Sequence, residues 1–106
     1  MRIRFKTQLL ADFYEGKKVK DNEFKSNPAL IKQYIKTIKT LNTVEKIEYL
    51  FQYHSLNYEK LKGDMAGFSS VRVNRQYRII FEEIASDEPP HEVTILSIEE
   101  LSKHYE

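Results

Sequence analysis

The stretch Lys60-Leu61-Lys62-Gly63-Asp64-Met65-Ala66-Gly67-Phe68-Ser69-Ser70-Val71-Arg72-Val73-Asn74-Arg75-Gln76-Tyr77-Arg78-Ile79-Ile80-Phe81 decides the fold. From Leu56 onward the apolar period is two, the signature of extended chain. Val71, Val73, Tyr77, Ile79 and Phe81 are expected to face a core, and Ser70, Arg72, Arg78 and Ile80 to face the other way. Gly63 and Gly67 bracket one turn, and Asn74-Arg75 sits where a hairpin turn belongs, although Arg is not the usual second residue there. Five cations and one acid ride on this small antiparallel sheet. A sheet with a cationic face is a platform for phosphate.

Working outward, Arg2 to Phe5 alternates polar and apolar and reads as a first strand. Thr7 is placed to cap a short helix that runs to Glu15 and ends at Gly16, with Leu9, Leu10, Phe13 and Tyr14 as its apolar stripe. Asn27-Pro28 is a helix start, with Asn at the cap and Pro where its missing N–H does no harm. The second helix is expected to run to about Thr40, burying Leu30, Ile31, Tyr34, Ile35, Ile38 and Leu41 and turning Lys32, Lys36 and Lys39 outward. Thr43 is a candidate cap for a third short helix through Phe51. Ile84 to His91, with Pro89-Pro90, reads as a loop, Glu92 to Ser97 as a last strand, and Ile98 to Glu106 as a short tail with one or two helical turns. Strand, helices, then a run of strands argues an α+β fold, a mostly antiparallel sheet with N-terminal helices packed on one face. At 106 residues the chain is expected to form one domain, residues 1–106.

Composition narrows the class. Hydrophobic residues at 41% and charged residues at 31% are ordinary for a globular domain. No run of about 18 apolar residues is present, so no membrane span or membrane partner is expected. The N-terminus lacks the apolar stretch of a signal peptide, and with no cysteine there is neither disulfide nor thiolate metal site. A cytoplasmic protein is the simple expectation. His54, His91 and His104 are scattered without ligand spacing, so neither metal nor other cofactor is expected. The net charge of +1 conceals segregation: residues 1–40 carry ten Lys/Arg against four Asp/Glu, whereas residues 82–106 carry one Lys against eight acids. Such a layout fits a polyanion partner for the basic parts, or charges that pair within the fold.

The segments Leu56 to Asp64, Gly67, Ser70 to Asn74 and Tyr77 to Phe81 together resemble the core of the HigB/RelE "killer" family of bacterial toxins. Glu92 to Leu96 is similar to that family's final strand, and Arg2 to Gly16, with Phe13-Tyr14-Glu15-Gly16, to the opening of its HigB branch. The sixteen-residue spacing from Lys62 to Arg78 also fits the family. The resemblance implies a RelE-like fold and the toxin of a type II toxin–antitoxin pair. It further implies a ribosome-dependent mRNA endonuclease that works without metal, and a helix-turn-helix antitoxin of the HigA kind as partner. Operator DNA would be bound only through the antitoxin complex.

Metal-free RNA cleavage needs a base for the 2′-OH, a cation for the phosphorane and an acid for the leaving 5′-oxygen. Arg78 matches the family's catalytic arginine, and a guanidinium can hold two phosphate oxygens at once. Lys62 matches the family's lysine before Gly. Arg72 shares the outward parity of Arg78 and is a candidate RNA contact, with Lys60 and Arg75 as general phosphate attraction. The base departs from the pattern. Glu59 stands where the HigB branch has His, and the branch's terminal Asp-Tyr-His falls on Glu100, Leu101 and Ser102. Tyr105 aligns with a C-terminal tyrosine of other relatives, with His104 beside it, and neighbouring cations could lower its pKa. Glu59, Tyr105 and His104 therefore remain open as the base, with His54 out of register. Surface roles are the bland alternatives: Arg78 pairing with Glu82 or Glu59, Lys62 as a solvated turn residue, Tyr105 as a frayed end. Two other functions suit the same fold. One is a ParE-like gyrase poison; the other is an RNA- or antitoxin-binding module without catalysis.

Overall fold

The computed structural model describes residues 1–18, 24 and 27–103. Five strands, β1 (Arg2–Phe5), β2 (Glu59–Lys60), β3 (Phe68–Arg72), β4 (Tyr77–Ala85) and β5 (Val93–Lys103), form one sheet in the order β1-β5-β4-β3-β2. Only the β1–β5 pairing is parallel; the other three are antiparallel. Two helices, α1 (Gln8–Glu15) and α2 (Pro28–Thr43), share a core with the sheet. The architecture is the mixed α+β arrangement expected.

Local chemistry sets the helix ends. The Thr7 hydroxyl accepts from the Leu10 N–H at 3.3 Å, and Gly16 closes α1 in the left-handed region at φ 72°. Asn27 Oδ1 accepts from the Leu30 N–H at 3.2 Å, with Pro28 in the first turn. Leu10 and Phe13 are the buried residues of α1, while Leu9 of the expected stripe is exposed. Helix α2 buries Leu30, Tyr34, Ile38 and Leu41 against Val71, Tyr77, Ile79, Phe81, Leu96, Ile98 and Leu101 of the sheet. The chain's α-ammonium caps this helix's far end, donating to the carbonyls of Asn42 (3.0 Å) and Val44 (2.6 Å), where a cation suits the helix dipole.

Three expectations are corrected. The segment after α2 is a 3₁₀ turn, Ile47–Gln52, preceded by Lys46 without a side-chain cap. Thr43 instead donates back to the Thr40 carbonyl at 2.8 Å. Strand β4 continues through Ala85, so the loop begins later than Ile84. The largest change is the tail. Ile98 to Lys103 is the second half of β5, not helical turns. Ile79 pairs with Leu101, Ile80 with Glu100 and Phe81 with Ile98, which leaves Glu99 as an extra residue in a β-bulge. The bulge turns both Ile98 and Leu101 into the core, so their three-residue spacing imitates a helix. Lys6 on the loop after β1 pairs with the bulged Glu99 at 3.1 Å.

Two measurements test this core. Leu101→Ala would be nearly neutral in a solvated tail; buried in β5, it is expected to cost about 2–5 kcal/mol in urea denaturation. Burial raises the pKa of the Tyr34 phenol, which donates to the Leu10 carbonyl at 2.9 Å, above the ordinary 10.0. A folded-state pKa above the unfolded one gives stability that is complete below the ordinary 10.0 and is lost as pH rises beyond it. Alkaline titration by phenolate absorbance should therefore show Tyr34 ionising only as the fold melts.

Candidate functional site

The register of β3 on β4 places Arg72 directly opposite Arg78, with Ser102 of β5 next to Arg78 on the other side. Both side chains point away from the helices, because Val71, Tyr77 and Ile79 point towards them. Directly opposed residues on one face have Cβ atoms about 4.5–5.5 Å apart, and like charges there repel. Among the described residues neither arginine has a carboxylate within ion-pair distance. The Arg72 Nε–H donates to the Asn74 carbonyl at 3.2 Å, whereas the Nε of Arg78 is buried and makes no hydrogen bond. Pairing of Arg78 with Glu59 or Glu82 is thus not what holds it.

These arginines line a small concavity together with Asn57, Glu59, Ser70, Asn74, Arg75 and Tyr77. Ser70 and Ile80, expected to face outward, do leave the core face but are buried all the same. The cationic face is therefore recessed at its centre and not a flat platform. The hairpin that closes it is built by Asn74. Its Oδ1 accepts from the N–H groups of Gln76 and Tyr77, each at 2.9 Å, and its Nδ2 donates to Gln33 of α2 at 2.9 Å. Among the described residues only Asn57 and His91 are non-glycines at positive φ, so this turn makes no demand for glycine and Arg75 fits.

Glu59 is aimed by its neighbour. Tyr58 lies against Phe81 with ring centroids 6.2 Å apart and an interplanar angle of 16°. Its hydroxyl and that of Ser69 both donate to Glu83 Oε2. Burial and the bond to this carboxylate raise the Tyr58 pKa, so the phenol stays a donor. Alternation then sends the next side chain, Glu59, to the opposite face, where it lines the arginine concavity. The Tyr58–Ser69–Glu83 cluster was missed in sequence, and its one signal was Tyr58 at apolar spacing from Leu56.

Of the residues singled out from sequence, Arg72, Arg75, Arg78 and Glu59 come together here. Lys60 and Lys62 do not line the concavity. Lys60 pairs with Ser69, and Lys62 follows Leu61, whose N–H bonds to the Phe68 carbonyl. Phe68 and the Arg72–Arg78 rung lie at opposite ends of β3, about 13 Å apart at ~3.3 Å per residue. Tyr105 and His104 lie outside the described residues. Among the described residues no group of three His, Cys, Asp or Glu side chains could hold a metal ion, and no helix is long and apolar enough to cross a membrane.

Comparison with known proteins identifies the family and the fold. Residues 3–88 match the HigB-like toxin family, described as RelE-like toxin of type II toxin-antitoxin system HigB. Toxin HigB-1 of Vibrio cholerae serotype O1 is 30% identical over 83 residues, 77% of this chain and 83% of that protein. The solved YoeB/ParE toxin from Agrobacterium tumefaciens superposes with a TM-score of 0.56 at 20% identity, covering 99% of this chain and all (100%) of the other. The YoeB-YefM complex from Staphylococcus aureus gives the same TM-score, 0.56, and 20% identity, covering 99% of this chain and 98% of its own. The fold is that of the RelE-like toxins. Within that class the chain belongs to the HigB-like toxin family of type II toxin–antitoxin systems.

The opposed arginines make a stability prediction. Arg72→Met and Arg78→Met should each leave stability unchanged or raise it by up to about 1 kcal/mol at low salt. The gain should shrink in high salt. Thermal melts showing clear destabilisation by Arg78→Met would assign that side chain to the fold rather than to a ligand.

Proposed function

We propose that this toxin is a ribosome-dependent mRNA endonuclease and that the arginine concavity is its active site. The observation that carries the reading is the buried, unpartnered Nε of Arg78 beside a second arginine and a carboxylate in one recess. Arg78 is half-buried, and a guanidinium whose inner Nε has no acceptor can turn its outer N–H groups to an anion from outside.

The reaction moves two protons and exchanges two bonds at phosphorus. Glu59 takes the proton of the 2′-OH, the 2′-oxygen bonds to the adjacent phosphorus, and the P–O5′ bond breaks. A 2′,3′-cyclic phosphate and a free 5′-OH result. Arg78 and Arg72 stabilise the doubly charged phosphorane, which carries more charge than the ground state. Tyr105, in the C-terminal segment, supplies the proton for the leaving 5′-oxygen. Arg75 attracts the strand, with Lys60 and Lys62 acting at longer range on flanking phosphates. No step calls for a metal ion. A helix-turn-helix antitoxin of the HigA kind neutralises the protein and carries the pair to operator DNA, and the site of action is the cytoplasm, where the message and ribosome meet.

Expression without antitoxin should arrest growth, and Arg78→Ala should restore it. On purified ribosomes programmed with message, the protein should give codon-aligned cuts in EDTA. There Arg78→Ala should lower the single-turnover rate at least 10²-fold, in the range seen for lost electrostatic stabilisers. Glu59→Gln and Tyr105→Phe should each slow it, and a rate unchanged by both would place the proton transfers elsewhere. Uncut message with blocked gyrase supercoiling would mean a gyrase poison. Uncut message with retained RNA or antitoxin binding would mean a non-catalytic module.

A further inference from the structure

Three aromatic rings are exposed on one short stretch: Tyr49 (41% exposed), Phe51 (62%) and Tyr53 (43%). The core does not need them there. Leu50 supplies the buried residue of this 3₁₀ turn, and Tyr58 fills the adjoining space. Phe51 rests on Tyr58 with ring centroids 4.9 Å apart, so it is held in place while still largely open to solvent.

The position of Tyr53 is the informative part. It lines a hollow shared with Lys36 of α2 and with Arg72, and a second hollow shared with Phe51, His54 and Asn57. Arg72 and Asn57 in turn both line the arginine concavity. Tyr53 is thus one residue removed from the cationic recess, through Arg72 on one side and Asn57 on the other. Asn57, in the left-handed region at φ 44°, links the aromatic turn to the strand that carries Glu59. Lys36 extends positive charge away from the recess along the face that also bears Lys32 and Lys39. Cations for phosphates and an exposed ring for a base therefore line neighbouring hollows. Single-stranded RNA is recognised by this combination, because every unstacked base has a π-face and every linkage a charge.

We infer that Tyr53 forms a base-stacking subsite that holds the unstacked base of a nucleotide near the scissile phosphate. The inference rests on the endonuclease reading and adds a positioning element to it. Stacking the base fixes the sugar, and with it the approach of the 2′-oxygen to phosphorus.

The test is a double-substitution cycle on programmed ribosomes. Messages carry an abasic nucleotide on one or the other side of the cut, and cleavage is compared for wild type, Tyr53→Ala and Tyr53→Phe. Tyr53→Ala should slow single-turnover cleavage about five- to a hundredfold, the range for losing one base–aromatic stack. Tyr53→Phe should retain the rate. At one flank the abasic message should be cut equally slowly by wild type and Tyr53→Ala, because both changes remove the same contact. Full activity of Tyr53→Ala, with Arg78→Ala inactive, would overturn the subsite and leave the endonuclease reading standing. Effects that multiply at both flanks would also overturn it, as would lost antitoxin affinity with unchanged cleavage, which would give the surface to the antitoxin. No cleavage by the wild type would remove the endonuclease reading and the subsite with it. Equal melting temperatures of wild type and Tyr53→Ala serve as the folding control, since the side chain is exposed.

Discussion

The pairing of β4 with β5 is the constraint from which the remaining structure follows. These are the two longest strands, Tyr77–Ala85 and Val93–Lys103, and they run together from Tyr77–Lys103 to Ala85–Val93. On one edge β5 receives β1 in parallel, and on the other β4 receives β3 and through it β2. One extra residue, Glu99, lets Ile79 and Phe81 on β4 meet Leu101 and Ile98 on β5 with all four side chains in the core. Given that parity, Arg78 has no freedom to face the helices, and its position opposite Arg72 is fixed by the hairpin.

The site is a product of cross-strand repulsion that the fold leaves uncompensated. Two arginines are opposed across a ladder, and two of the nearby carboxylates are engaged elsewhere. Glu83 accepts from Tyr58 and Ser69 on the opposite face, and Glu99 pairs with Lys6. Glu59 reaches the recess but forms no ion pair with either arginine. Among the described residues the acidic C-terminal segment contributes one ion pair to the basic N-terminal part, Lys6–Glu99, and none to Arg72 or Arg78.

Rigidity around the recess comes from small side-chain devices. Asn74 satisfies two backbone N–H groups of its own turn and ties that turn to Gln33 of α2. Tyr58 is wedged between Phe51 and Phe81 and bonded to Glu83, which fixes the two-residue strand carrying Glu59. A strand of only two residues, Glu59–Lys60, has little ladder to hold it, so its side-chain anchor decides where Glu59 points.

The residues alone determined the local elements: the Thr7 and Asn27 caps, the stop at Gly16, the apolar stripe of α2, and the alternation that separates Arg72 and Arg78 from Val71 and Ile79. Capping and alternation are short-range rules, and a chain states them within a few residues. The tertiary structure decided the tail, because a bulge exists only relative to a partner strand, and Ile98-x-x-Leu101 has a helical spacing until Phe81 and Ile79 are opposite it. It also decided which candidates share a recess. Lys62 and Arg78 are linked by a motif spacing yet lie at different ends of β3, while Arg72, Arg78 and Glu59 meet through two cross-strand registers. The aromatic turn at Tyr53 gave no sign in sequence that it shares a hollow with Arg72, because sequence distance says nothing about which surface a short 3₁₀ segment will adjoin. Side-chain chemistry is written in the sequence; adjacency between elements is written by packing.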